Sequence, residues 1–123
     1  MKVAITGTRE VAPFHVLRVC ATLDDLLEGR LTGDVEPLSL ILGDENGVDA
    51  VAREWARQRS VPHEVYLADW ITIGAAAGPA RNRRMLICGE PDLLIAFPGG
   101  KGTANMVAAA TKLGVRVLRV EWR

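Results

Sequence analysis

The sequence predicts an α/β protein: one Rossmann-like, three-layer domain over residues 1–123, with a mostly parallel sheet of about five strands. Three observations predict it. Short apolar blocks alternate with longer segments of helical period. Most of those blocks open at their carboxyl ends into loops rich in Gly, Asp, Thr or Arg. At 123 residues and 49% hydrophobic content the chain is large enough to bury one core, with no internal repeat and no low-complexity run.

The first block, Lys2 to Thr6, is almost continuously apolar, as suits a strand buried on both faces, and gives way to Gly7-Thr8-Arg9-Glu10. Pro13 fits a first helical turn, and Val16, Val19, Cys20, Leu23, Leu26 and Leu27 keep helical spacing until Gly29 ends it. Residues 29–37, with two glycines, a proline and three charges, read as a flexible surface connection without a motif. Leu38 to Leu42 forms the second strand and opens into Gly43-Asp44-Glu45-Asn46-Gly47-Val48-Asp49. Val48, Val51, Ala52, Trp55 and Arg59 then fall on one helical face. A short third strand spans His63 to Leu67, followed by Asp69-Trp70, a small-residue stretch from Gly74 to Gly78, and a helix with Pro79 in its first turn that ends near Gly89.

Leu93 to Phe97 makes the fourth strand, and three glycines, at 99, 100 and 102, lie in the loop that follows it. They are expected to take positive φ and to let a ligand approach the backbone amides at the start of the next helix, where the helix dipole favours an anion such as phosphate. In that helix Met106, Ala110 and Leu113 are expected on one buried face, with Gly114 at its end and a last strand over Val115 to Val120. The loop is neither of two common phosphate codes. Lys101 is followed by Gly102, so there is no Gly-Lys-Ser/Thr, and the third glycine of a dinucleotide fingerprint starting at Gly100 is replaced by Asn105.

Fifteen basic and fifteen acidic residues cancel. With no global field and no basic stripe interleaved with aromatics, nucleic acid is not expected as a partner, and a small ligand is. No apolar run is long enough for a bilayer, and the start Met1-Lys2-Val3-Ala4-Ile5 lacks signal-peptide architecture, so a cytoplasmic location is expected without a membrane. Cys20 and Cys88, each alone among apolar neighbours, read as buried, reduced core residues. No metal or cofactor is indicated.

In a parallel sheet the carboxyl-end loops gather on one edge. The expected ligand site therefore comprises Gly7, Thr8 and Arg9; Gly43, Asp44 and Asp49; Trp70; Arg81, Asn82 and Arg84; and Gly99, Gly100, Lys101, Gly102, Thr103 and Asn105. Arg81, Arg83 and Arg84 near a helix start oppose its dipole, which a bound phosphate or carboxylate would offset. Pairing with Glu90 or Asp92 is the alternative. Asp44, Glu45 or Asp49 could hold ribose hydroxyls, or Asp44 and Asp49 could serve their own turn and helix. Thr8 and Arg9 suit phosphate, though Thr8 suits a plain turn equally. Trp70 lies on the ligand side and could stack on a base. His15 and His63 lack the partners that activate a nucleophile.

The ordered set Gly43-Asp44-x-x-Gly47-x-Asp49, Ala68-Asp69-Trp70, Gly78-Pro79-x-Arg81-Asn82-Arg83-x-Met85 and Ala96-Phe97-Pro98-Gly99-Gly100-x-Gly102-Thr103-x-x-Met106 resembles the YspA-type, cpYpsA-related branch of the SLOG superfamily over Val3 to Val120. That superfamily also contains the Lonely Guy phosphoribohydrolases and the Smf/DprA proteins. The resemblance implies a Rossmann-like fold binding a nucleotide or an ADP-ribose-like molecule as a sensing, sequestering or delivering module. Phosphate would sit on the amides of Gly99 to Thr103, Arg81 would neutralise it, and Asp44 or Asn105 would hold ribose. The alternative the resemblance implies is a nucleoside 5′-monophosphate phosphoribohydrolase, with Arg81, followed by Met85, matching its catalytic arginine; Asp44, or else Glu45 or Asp49, would then have to supply the carboxylate. In those hydrolases the glycine loop ends in a catalytic glutamate, whereas Asn105 and Met106 stand here. The relatives often dimerise through helices beside the site, which makes a homodimer an expectation as well.

Overall fold

The computed structural model describes residues 1–33 and 36–123. The expected surface connection at 29–37 thus includes two positions, 34 and 35, outside the described residues. Five strands form one sheet: β1 (Lys2–Thr6), β2 (Ser39–Gly43), β3 (His63–Tyr66), β4 (Leu93–Ala96) and β5 (Arg116–Arg119), in the order β3-β2-β1-β4-β5. Every pairing is parallel. Val3 sits opposite Leu40 on one side and Leu93 on the other, so β1 is the central strand. The chain runs outward from β1 through β2 to β3, then returns to its other side for β4 and β5. That reversal puts the topological switch between β1 and β4, where ligand crevices of such sheets open.

Alternation along the strands builds two cores. Val3, Ile5, Leu40, Leu42 and Ile95 face α1 (Pro13–Leu27) and α2 (Val48–Gln58), whose Val19, Leu23, Ala52 and Trp55 are fully or almost fully buried. Ala4, Ile41, Leu94 and Ala96 face α4 (Ala77–Ile87) and α5 (Lys101–Lys112) through Met85, Leu86, Met106 and Ala110. The third buried residue of α5 is Val107; Leu113, expected on that face, is exposed because the helix ends at Lys112 and Gly114 turns the chain with φ +77°. Cys20 is only half-buried and Cys88 is exposed at the end of α4, which corrects the reading of both as core residues.

The largest departure lies between β3 and α4. Residues to which the sequence assigns no regular structure make a short helix, α3 (Trp70–Ile73), and one 3₁₀ turn (Gly74–Ala76), which lead straight into α4. The Asp69 carboxylate caps α3 by accepting the Thr72 amide at 3.0 Å. With α4 starting at Ala77, Arg81 lies in its second turn and Arg84 in its last. A cation in the last turn suits the helix dipole, so the electrostatic misfit expected of this arginine group does not exist at Arg84. Its guanidinium donates instead to the carbonyl of Leu67.

Candidate functional site

Three carboxyl-end loops are stitched together by one residue. The Thr8 amide donates to the Pro98 carbonyl at 2.9 Å, and the Thr8 carbonyl accepts from the Val48 amide at 3.0 Å, so the loops after β1, β2 and β4 hold one another by backbone alone. Such close contact requires small residues. A Cβ on Gly7 would stand 2.6 Å from Val48 Cγ2, and one on Gly99 would stand 2.9 Å from the Thr8 amide nitrogen and clash with Thr103 Oγ1. Gly47 takes φ +77° and would drive a Cβ into the Thr8 carbonyl. The Thr8 hydroxyl accepts the Glu10 amide at 3.1 Å, which assigns it to its own turn.

Arg81 ties in the fourth segment. Only 6% exposed, it donates from Nη1 to Asp44 Oδ1 at 2.5 Å and from Nε to Asn82 Oδ1 at 3.0 Å, with Nη2 3.6 Å from Glu45 Oε1. Gly43 makes room for it, since a Cβ there would lie 3.0 Å from the guanidinium carbon and 2.7 Å from Asp49 Oδ2. The acidic partners of Arg81 are therefore Asp44 and Glu45 of the β2 loop, not Glu90 or Asp92. Asp44 also accepts the Ala68 amide through Oδ2 at 3.2 Å, which fixes the exit of β3. Asn82 Nδ2 continues the network to the Gly102 carbonyl at 3.3 Å and Asn105 Oδ1 at 3.1 Å on α5.

Asp49, in the first turn of α2, is buried and accepts the Glu45 amide at 3.2 Å. Burial pushes its carboxyl up to about 6, against the pull of that amide and of Arg81, while Glu45 and Asp44 push further upward.

These loops surround a cleft of about 520 Å³. Of the residues expected at the site, Gly7, Thr8, Arg9, Gly43, Asp49, Trp70, Arg81, Asn82, Gly100, Lys101, Gly102, Thr103 and Asn105 line it. Asp44, Gly99 and Arg84 do not: Asp44 stands behind Arg81, Gly99 is packed under Thr8, and Arg84 is turned to Leu67. Glu10, Glu45, Ala75, Gly78 and Met85 also line it: Glu10 and Glu45 belong to loops the sequence singles out, Gly78 and Met85 to the quoted motif, and Ala75 only to the small-residue stretch. Trp70 is half-exposed at the mouth, its ring edge 3.1 Å from where a Gly78 Cβ would stand. Arg9, 71% exposed, lies 3.8 Å from Glu45 at the rim. Both histidines are engaged elsewhere: His15 Nδ1 accepts the Ala12 amide at 2.9 Å, and His63 Nδ1 lies 3.0 Å from the Val61 carbonyl.

The glycine loop differs from expectation in mechanism. None of Gly99, Gly100 and Gly102 has positive φ. Gly99 is required by packing, but a Cβ on Gly100 or Gly102 would meet nothing within 4 Å. Gly100 caps α5 and Gly102 lies in its first turn. Among the described residues, no hydrogen bond uses the amides of Lys101, Gly102 or Thr103. Gly100 and Gly102 line the cleft, and neither a packing contact nor a positive φ demands glycine at either position. Met106, where the resemblance to phosphoribohydrolases would place the catalytic glutamate, is fully buried in the sheet core.

Comparison with known proteins shows the family and the fold. The model of the YspA, cpYpsA-related SLOG family matches residues 1–72, more than half the chain. This chain belongs to that SLOG family. The matched span ends within α3, so Arg81 and the glycine loop of this SLOG protein lie beyond it. A curated relative, the Gene 61 protein of Mycobacterium phage D29, is 34% identical, covering 95% of this chain and 94% of that protein.

Two solved structures share the fold of the SLOG chain. One is DNA processing protein A from Helicobacter pylori, studied for its single-stranded DNA binding mode: TM-score 0.68, 20% identity, 97% of this chain and 64% of that one. The SLOG chain thus spans less than two thirds of that protein. The other is TM1055, a structural-genomics target: TM-score 0.70, 19% identity, 94% of this chain and 71% of that one. The first corrects an expectation drawn from net charge. A single-stranded-DNA-binding protein shares this fold, so cancelling charges do not set nucleic acid aside as a partner. Among the described residues no helix is long and apolar enough to cross a membrane.

Proposed function

We propose that the cleft binds a nucleoside phosphate, free or ADP-ribose-like, and that the protein acts as a binding module and not as a phosphoribohydrolase. The observation that carries the reading is the pair Gly100 and Gly102. Neither is demanded by backbone conformation or packing, yet both line the cleft beside the amides of the first turn of α5. Phosphate fits these amides, with Lys101 and Arg9 supplying positive charge at the rim and Trp70 presenting half its surface for a base. Arg81 is already committed to Asp44 and Asn82, so its part is to fix the loops more than to neutralise the ligand. The non-hydrolytic reading is supported by buried Met106, which offers no carboxylate to the cleft.

A second reading, in which the nucleoside phosphate is part of a strand, is favoured by the likeness to the single-stranded-DNA-binding fold and by the exposed cations Arg9 and Lys101 beside the cleft. Calorimetry with adenosine 5′-monophosphate and ADP-ribose, beside fluorescence anisotropy with a short single-stranded oligonucleotide, separates the two. Mononucleotide binding lost in Gly102→Leu supports the first. Oligonucleotide binding that weakens steeply with salt, without mononucleotide binding, supports the second. No heat from either nucleotide and no anisotropy change sinks both, and free base released by the wild type overturns the non-hydrolytic reading.

A further inference from the structure

The geometry points to Asn105 as a specificity-determining residue that presents a hydrogen-bond donor, not an acceptor, to a ligand phosphate at the first turn of α5. This inference rests on the nucleotide reading above and deepens it. Side-chain amides can be turned either way, but here the orientation is forced from the far end of a chain of bonds. The Arg81 guanidinium can only donate, so the Asn82 atom 3.0 Å from its Nε must be the oxygen. The other end of Asn82 is then an NH₂ group, as its second contact independently demands, because the Gly102 carbonyl 3.3 Å away can only accept. That NH₂ group also lies 3.1 Å from Asn105, whose facing atom must in turn be the oxygen. With its oxygen taken by Asn82, Asn105 has its own NH₂ group to offer the ligand.

Position completes the argument. Helical side chains lean toward the N-terminus, and Asn82 bridges the Gly102 carbonyl and the Asn105 side chain, so the Asn105 amide is held against the first turn of α5, whose Lys101, Gly102 and Thr103 line the same cleft. Asn105 is exposed and lines the cleft. A deprotonated phosphate oxygen only accepts and can meet only a donor. A hydroxyl can meet either group, so an aspartate at this position would admit hydroxyls and repel phosphate. One amide thus sets the sign of the group this end of the cleft takes.

Asn105→Asp tests it with little cost to the fold, because an aspartate oxygen still accepts from Asn82. Affinities are measured for adenosine 5′-monophosphate, adenosine and inorganic phosphate. The expected result is a fall of at least tenfold for the monophosphate in the variant, with adenosine changed less than threefold. The side-chain amide resonances of Asn105, recognised by their loss in the variant, should move when monophosphate is added to wild type and stay in place with adenosine. Unchanged monophosphate affinity in Asn105→Asp, or a parallel loss for adenosine, overturns the inference and leaves the nucleotide reading standing. A wild type that binds none of the three probes overturns both.

Discussion

Arg81 Nη1 and Asp44 Oδ1, 37 residues apart in sequence, meet at 2.5 Å beneath the cleft, and the arginine is almost completely removed from solvent. A buried charge left without its partner is costly, whereas a pair exchanged together for apolar groups need not be. Asp44→Ala strands the buried guanidinium and should destabilise the protein by about 3 kcal/mol, whereas Arg81→Ala leaves a carboxylate that solvent reaches and should cost less through that charge; the double variant should lose clearly less than the sum. Urea denaturation of the three variants measures this, and strict additivity would show that the pair does not act as a unit. Loss of ligand binding in Arg81→Ala therefore needs a folding control.

Asp49 should give the protein an unusual pH response. Its carboxyl stands near 6 in the fold against an ordinary value of 3.8. Between those values the native state holds a proton that the unfolded chain has released, so this group's contribution to stability falls as pH rises from about 4 to about 6. Asp49→Asn should remove that slope and raise stability at pH 7.5 by up to about 3 kcal/mol, the equivalent of the upward displacement. Thermal melts across pH 4–8 check the sign, and a variant less stable than wild type at pH 7.5 contradicts it.

Two glycines of the same loop should respond oppositely to alanine. Gly99→Ala forces a methyl against Thr103 and Thr8 and should cost about 2 kcal/mol or more. Gly102→Ala meets open space on a helix and should stabilise by about 0.5 kcal/mol. If both variants melt below wild type by similar amounts, the distinction between a packed and an open glycine is wrong.

Trp70 should report occupancy of the cleft. Trp55 is buried on α2, where its indole N–H donates to Asp24 of α1, and Trp122 packs on Phe97 with ring centroids 5.8 Å apart, whereas Trp70 alone of the three lines the cleft. Ligand binding should quench part of the intrinsic fluorescence in the wild type, and this change should vanish in Trp70→Phe. Quenching that survives the substitution would place the base elsewhere.

The sheet was readable from the sequence because a parallel strand buried on both faces is a nearly continuous apolar run, and Leu38 to Leu42 or Leu93 to Phe97 has no helical competitor. The convergence of the four loops followed from topology alone. Three features were not readable, each for a tertiary reason. The helical turns between Trp70 and Ala76 are too short to show a helical period, and Ile71, Thr72 and Ile73 are β-branched; the turns form where Asp69 caps the chain and Trp70 meets Gly78. The partner of Arg81 depends on where β2 ends relative to α4, which no local spacing encodes. The glycines at 99, 100 and 102 look alike in sequence. Only the approach of the Thr103 side chain and the Thr8 backbone separates the one that packs from the two that stand open.

The central place of β1 has a consequence for how the chain is made. β1 can pair with β2 soon after Gly43 has been synthesised, but its other edge waits for Leu93 to Ala96, about fifty residues later, which at about 5–20 residues per second is a delay of several seconds. During that interval on the ribosome, Val3, Ala4 and Ile5 present an unprotected apolar edge, the kind that recruits neighbouring nascent chains. Slowing translation between α2 and β4 should therefore lower the yield of folded protein, even though no residue of the mature molecule has changed.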